Sequence, residues 1–338
     1  MKHLHSLLVV LSFWIGVSSQ AADTVVYPGK QGPGRGKHIV FLTGDEEYRS
    51  EEGLPMLAQI LSQRHGFKCT VLFPIDPADG TIDPNNQTNF VGLSALDSAD
   101  MAIMLLRFRE FPEKEMAHFA NFLKAGKPLF ALRTSTHAFA MQRYKNSPYV
   151  NFDWQSKAWP GGFGQQVLGD TWISHHGNHG SESTRAVFNP RFKDHPVMRG
   201  VTDIWGPTDV YGVIHLPADA DVLAEGAVLQ GMKATDPAVA GPKNHPMMPL
   251  IWTRTYIGDQ GKNNRIFCTT MGAATDLESE GLRRLIVNAC YYSTGLEKKI
   301  RPDLDVRYVS EYHPTAFGFG KFKKGVKPAD HELKHSRN

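Results

Sequence analysis

The sequence contains few cysteines and has almost no net charge. Only three of its 338 residues are cysteines, at positions 69, 268 and 290, and no Cys-x-x-Cys pair occurs. This small, odd number excludes a disulfide framework and the common cysteine zinc sites, so we expect buried thiols that act as small apolar side chains. Basic residues number 37 and acidic residues 34. That balance argues against nucleic acid as a partner and suits an uncharged ligand.

Long apolar segments are absent after the N-terminus. The first 21 residues carry Lys2, an apolar run over 7–17 and a Ser-Gln-Ala end. This pattern is typical of a secretory signal peptide, because the run is shorter than the roughly 20 residues that cross a bilayer. We therefore predict cleavage after Ala21, a periplasmic or secreted protein, and no membrane association after cleavage. The sequence does not indicate an oligomeric state.

Short apolar segments alternate with amphipathic segments from residue 38 onwards. Five segments have the length and composition of buried strands: 38–43, 69–73, 101–106, 128–132 and 265–270. Apolar residues recur at spacings of three and four in 51–65, 113–124 and 278–292, which predicts helices there. Strands that alternate with helices predict a mostly parallel sheet, and therefore an α/β fold.

The remaining segments are less regular. Residues 138–263 are predicted to form an insertion with partly antiparallel strands at 184–188, 210–215, 222–229 and 249–255. Residues 22–36 are rich in glycine and proline and predict an extended lead-in. Residues 298–338 are basic and weakly patterned, which predicts a surface-wrapping or disordered tail. One elaborated domain over 37–297 is the expected organisation.

Polar side chains follow several of the predicted parallel strands, and such strand ends meet at one edge of a sheet, where ligands bind. They are Asp45, Glu46 and Glu47 after the first strand, Arg107 after the third, and Ser135, Thr136 and His137 after the fourth. Asp209, at the start of a strand in the insertion, is a further carboxylate that can point towards this edge. Carboxylates, a guanidinium group and hydroxyls together suit a polyhydroxylated or anionic ligand.

The fourth of these turns places Ser135 beside His137, the residue types of a nucleophile and its base. The Gly-x-Ser-x-Gly elbow is absent, so ligand-binding hydroxyls or ordinary turn chemistry are the preferred interpretations.

A cluster of histidines follows in the insertion. His176 and His179 are three residues apart, a spacing at which two imidazoles can bind one divalent metal, and His175 precedes them. A third ligand would come from His137, Asp209 or His215. The alternative is a loop with exposed histidines.

Several segments resemble the ThuA-like (trehalose-utilisation) proteins. The resemblance rests on 38–52, 132–139, 194–197, 209–211 and 265–288, in the same order, and covers about 37–297. It implies a fold like that of the class I glutamine amidotransferases, a flavodoxin-like three-layer sandwich, and a link to the use of disaccharides such as trehalose and their oxidised derivatives. Those amidotransferases carry a cysteine where this chain has Thr134-Ser135-Thr136, so glutaminase activity is not expected.

Together these observations predict an exported protein that binds and transforms a sugar, either a trehalose-type disaccharide or its keto derivative. Hydrolase or isomerase/lyase-type chemistry is expected. The predicted catalytic residues are Glu46, His137 and Asp209. The predicted ligand-binding residues are Asp45, Glu47, Arg107, Ser135, Thr136 and His179. Two alternatives stay open: a metal-dependent hydrolase that uses the 175–179 histidines, with His176 and His179 as ligands, and a carbohydrate-binding protein without catalysis.

Overall fold

The computed structural model describes residues 23–333, and its central feature is a ten-stranded mixed sheet. In chain order the strands are β1 (Thr24–Tyr27), β2 (His38–Gly44), β3 (Lys68–Leu72), β4 (Met101–Leu106), β5 (Leu129–Leu132), β6 (Ser183–Phe188), β7 (Trp205–Gly206), β8 (Asp221–Leu229), β9 (Met248–Ile257) and β10 (Asn263–Thr269). Across the sheet their order is β1-β3-β2-β4-β5-β10-β9-β8-β6-β7.

Helices cover both faces of the sheet. They are α1 (Ser50–His65), α2 (Glu113–Lys124) and α3 (Glu280–Ser293). Successive residues of a strand point to opposite faces, so Ile39 and Phe41 of β2 join the apolar cluster under α1 and α3, whereas Val40 and Leu42 join the cluster under α2. All four are fully buried. The sheet therefore forms the middle of three layers, which confirms the predicted α/β sandwich.

The sheet has a parallel half and an antiparallel half. Strands β3, β2, β4, β5 and β10 pair in parallel, whereas the other five of the nine pairings, which involve β1 and β6–β9, are antiparallel. The predicted parallel order thus holds for the central five strands. The inserted region continues the sheet beyond β10, because the free edge of that strand offers unpaired backbone groups to β9.

Three of the four strands predicted in the insertion are confirmed, at β6, β8 and β9, and the one predicted over 210–215 is wrong. In that segment Tyr211 forms only an isolated bridge with His175. The backbone N–H groups of Ile214 and His215 donate instead to the Asp170 carboxylate at 2.6 and 2.9 Å, which replaces the bonds of a strand ladder. The short strand β1 lies within the predicted lead-in.

The chain after α3 wraps over the surface. The Arg64 side chain donates to the Arg307 carbonyl at 2.8 Å, and the Tyr27 hydroxyl donates to the His331 carbonyl at 2.6 Å. All three cysteines are free and buried, as predicted. Across residues 23–333 no helix is long and apolar enough to span a bilayer. The predicted signal peptide, residues 1–21, lies outside the described residues.

Candidate functional site

The turn after β2 is held by Asp45. One Asp45 carboxylate oxygen accepts the backbone N–H groups of Glu47 and Tyr48 at 2.7 and 2.6 Å, and the other accepts the hydroxyl of Thr134 from the turn after β5. Asp45 is fully buried. Because both of its oxygens are used within the protein, the structure makes Asp45 a positioning residue that joins two turns, and does not place it as an open ligand contact.

Glu46 lies between two arginines. Its carboxylate accepts hydrogen bonds from Arg107 and from Arg109, the latter at 2.7 Å. Burial, only partly opposed by these two positive charges, raises the pKa of Glu46. Arg109 is fully buried, and Arg107 is partly exposed at the sheet edge. Glu46 therefore neutralises a buried cation, and of these three residues Arg107 is the one that a ligand can reach.

Two histidines and two carboxylates meet next to this turn, and we call them the histidine–carboxylate cluster: Glu47, His175, His179 and Asp209. Nδ1 of His175 is 2.7 Å from one oxygen of Asp209, and Nδ1 of His179 is 3.0 Å from the other. Nε2 of His179 is 3.3 Å from Glu47. The histidine side chains are 38% and 34% exposed, whereas Asp209 is buried. A buried carboxylate thus orients two imidazoles that solvent and ligands can reach.

The two carboxylates of the cluster differ in acidity. Burial raises the pKa of Asp209, but the Arg133 charge and the hydrogen bonds from His175 and His179 outweigh it and lower the pKa to about 2. Burial and the neighbouring Asp45 raise the pKa of Glu47. Environments that separate two carboxylates in this way are typical of sites where one group stays ionised and the other carries a proton.

Arg133, which follows β5, connects the cluster to the sheet, and the sequence reasoning missed it. Its guanidinium carbon lies 4.2 Å from the ring centre of Tyr48 and 4.3 Å from that of Tyr211. The guanidinium donates to Asp209 at 2.9 Å and to the Thr270 carbonyl at 2.8 Å. Its position immediately before Thr134-Ser135-Thr136 was the available signal, since polar residues at strand ends line this edge.

The turn after β5 contributes less than predicted. The Ser135 hydroxyl donates to the Met104 carbonyl at 3.1 Å and accepts the Leu106 N–H at 3.2 Å, and the residue is fully buried. The structure therefore places Ser135 between strands, away from a ligand or a nucleophile position. Thr136 is also buried, and its hydroxyl is 3.3 Å from Nδ1 of His137.

His137 lies behind the cluster among aromatic rings. Its ring centre is 5.0 Å from that of Phe108 and 5.3 Å from that of Trp172, and only 3% of the residue is exposed. Burial, with the Arg107 and Arg133 charges, lowers the pKa of His137 well below its usual range. The imidazole is therefore neutral near pH 7 and is able to accept a proton or a hydrogen bond.

The structure corrects the predicted metal pair. Potential ligand atoms of His175, His179 and Asp209 all lie within 4.8 Å of one another. His176 is not among them, because neighbouring residues of an extended segment point to opposite sides and its Nε2 lies 2.7 Å from the Lys243 carbonyl. Two imidazoles and one carboxylate are a donor set that suits a divalent ion such as zinc. Of the proposed third ligands, Asp209 joins the group, whereas His215 pairs with Asp170.

Solved structures resemble the chain at low sequence identity. A ThuA-like protein from Parabacteroides merdae ATCC 43184 is 14% identical, with a TM-score of 0.48, over 84% of this chain and 98% of the other. A ThuA-like protein from Bacteroides uniformis ATCC 8492 gives 14%, 0.48, 82% and 100%. A GMP synthase protein from Thermoplasma acidophilum gives 10%, 0.38, 77% and 94%.

Comparison of the sequence itself is more specific. No curated protein matches the chain significantly. The family model ThuA, described as trehalose utilisation, matches residues 38–293. The match runs from β2 to the end of α3 and includes all four residues of the histidine–carboxylate cluster. The chain therefore belongs to the ThuA (trehalose utilisation) family.

Proposed function

We propose that this protein binds a small carbohydrate beside the histidine–carboxylate cluster and transforms it by proton transfer. The supporting observation is the pair of half-exposed imidazoles, His175 and His179, oriented by one buried carboxylate. A trehalose-type disaccharide or its keto derivative is the proposed substrate, in keeping with the family. Export, with cleavage after Ala21, is part of the proposal, and N-terminal sequencing of the mature protein tests it.

The cluster supplies the groups that such a reaction needs. The anion of Asp209 accepts Nδ1–H of an imidazole, which leaves Nε2 free to take a proton from a sugar hydroxyl or a water molecule. Glu47 has a raised pKa and provides the protonated carboxyl that returns a proton to a departing oxygen. Arg107 at the edge donates hydrogen bonds to ligand oxygens. Hydrolysis and isomerase/lyase-type reactions both use these steps.

The test uses a panel of disaccharides and their 3-keto forms, with products identified by mass spectrometry. We expect turnover by the wild type and a loss of at least about 100-fold in His179→Ala, in the range for a general acid or base. His176→Ala is the matched control, because its neighbouring imidazole binds the Lys243 carbonyl outside the cluster. Wild-type turnover in a His175→Ala/His179→Ala double variant would exclude this site. Saturable binding without product would favour the carbohydrate-binding alternative.

A metal-dependent hydrolase is the second candidate, favoured by the proximity of His175, His179 and Asp209. A divalent ion bound there would lower the pKa of a water molecule and so supply hydroxide. Chelator-treated protein is dialysed against zinc or manganese and the bound metal is counted by elemental analysis. About one equivalent is expected in the wild type and in His176→Ala, and none in His175→Ala/His179→Ala. Absence of stoichiometric metal in the wild type would exclude this candidate.

A further inference from the structure

The segment 312–319 lies after the family match and crosses the turn that carries Glu47. Its start is fixed where the Tyr312 hydroxyl donates to the Ala274 carbonyl at 2.7 Å. The N–H and hydroxyl of Thr315 then donate to the Glu52 carboxylate at 2.6 and 2.7 Å. These bonds hold an irregular segment in one place without a helix or a strand.

The middle of this segment is bonded to the site itself. The N–H of Gly318 donates to the Glu47 carbonyl at 2.8 Å, and the carbonyl of Gly318 accepts from the fully buried Arg49. Gly318 has a φ of 129°, a backbone conformation that glycine adopts more easily than other residues. The phenylalanines on either side are therefore presented at a defined position beside Glu47.

Both phenylalanines contact groups of the candidate site. The ring of Phe317 packs 5.4 Å from that of His179 and 5.7 Å from that of Tyr48. The ring of Phe319 lies 4.9 Å from the guanidinium carbon of Arg107, and 59% of the residue is exposed. Single exposed apolar residues are common, so the position matters more than the exposure: a ring borders the histidine, and another borders the arginine that a ligand can reach.

A second group of aromatic side chains borders the other histidine. The Trp172 ring is 5.8 Å from that of His175, and Trp154 packs 6.1 Å from Trp172. The two histidine rings are 4.8 Å apart. The proton-carrying groups thus lie between an indole on one side and a phenyl ring on the other, an arrangement that suits a ligand with apolar C–H faces and a polar rim.

We propose that Phe317 and Phe319 form an aromatic wall of the carbohydrate site, so that a segment outside the family match determines which sugars bind. The inference rests on the proposed function and adds a ligand preference to it: a pyranose ring with a flat C–H face, in preference to an acyclic polyol. Such a ring stacks on the phenyl faces while its hydroxyls reach His179 and Arg107.

Isothermal titration calorimetry tests the wall with trehalose, the disaccharide panel and mannitol as the acyclic probe. Phe319→Ala and Phe317→Ala are expected to raise the Kd for the pyranosides at least tenfold and to change the Kd for mannitol less than twofold. Phe317→Tyr keeps the ring and should bind within about twofold of the wild type. Phe322→Ala, a half-buried aromatic of the same tail, is the matched control. Melting curves identify any variant that loses the fold, and the exposed Phe319 keeps the test open if Phe317→Ala does so.

The outcomes separate the two proposals. Binding of pyranosides by the wild type with an unchanged Kd in Phe317→Ala and Phe319→Ala overturns the wall and leaves the proposed function standing. An equal loss of mannitol and pyranoside binding overturns the stacking preference. No binding of any panel sugar by the wild type overturns both proposals. Labelling of His179 by diethyl pyrocarbonate provides a readout without ligand, because removal of the Phe317 ring should accelerate it.

Discussion

Replacement of Asp209 by asparagine should lower both the stability of the protein and its dependence on acid. The substitution keeps the size of the side chain and removes the negative charge that faces the fully buried Arg133. A pKa that falls from 3.8 to about 2 on folding corresponds to about 2 kcal/mol of stability at neutral pH. Removal of one partner of a buried ion pair costs about 3–5 kcal/mol. The Tyr48 and Tyr211 rings still cover the guanidinium, so we expect a loss near 2–3 kcal/mol.

Urea unfolding at several pH values measures this contribution. Asp209 has a lowered pKa in the folded state, so its contribution is complete above about pH 4 and is lost as the pH falls towards about 2. The wild type should therefore lose about 2 kcal/mol more than Asp209→Asn between these pH values. At pH 7 the difference between the two proteins should be largest.

An exposed ion pair provides the control. Asp219 faces Arg254 at 3.6 Å with 53% of its side chain exposed, so Asp219→Asn should change the free energy of unfolding by no more than about 0.5 kcal/mol. If Asp209→Asn behaves like Asp219→Asn at pH 7, the ion pair with Arg133 does not stabilise the fold and the electrostatic account of the cluster is refuted.

Three further predictions concern the scaffold. Gly281→Ala in α3 would place Cβ 1.8 Å from the Asp203 carbonyl oxygen, so the clash should outweigh the helix propensity of alanine and lower Tm by about 3–8 °C; an unchanged Tm would contradict the close approach. Burial lowers the pKa of His65 to about 4, so the wild type should lose about 2 kcal/mol of stability from pH 7 to pH 5 that His65→Gln does not lose; parallel pH profiles in urea would refute this. Glu46→Gln should lower Tm, because the buried Arg109 loses its charged partner; a wild-type melting curve would show that the pair contributes nothing.

The central fold could be predicted because its elements are local and bounded by glycine and proline. Strand β4 and helix α2 begin and end at the predicted residues, 101–106 and 113–124. Strand β7, with only two residues, has no period to detect. The segment 210–215 was predicted as a strand from its apolar residues, whereas its hydrogen bonds go to Asp170, a partner that no local pattern reveals.

The candidate site was predicted in location more than in detail. Because carboxyl ends of parallel strands share an edge, Glu47 and Arg107 could be assigned to one place. Whether His175 or His176 faces Asp209 depends on the conformation of a loop without periodicity. Phe317 belongs to a tail that carries no strand or helix signal, and its contact with His179 arises only in the folded chain.

The position of Arg133 at the junction of the two halves of the sheet has a consequence for biosynthesis. Its guanidinium binds Tyr48 and Asp209 from 85 and 76 residues away in the sequence. Contacts so distant require the intervening chain to close first, so they form late during folding. An emerging or truncated chain can build the early parallel strands and still lack the oriented histidines. Chemistry is thereby withheld until the antiparallel strands have docked, and activity becomes a report that the whole domain has been assembled.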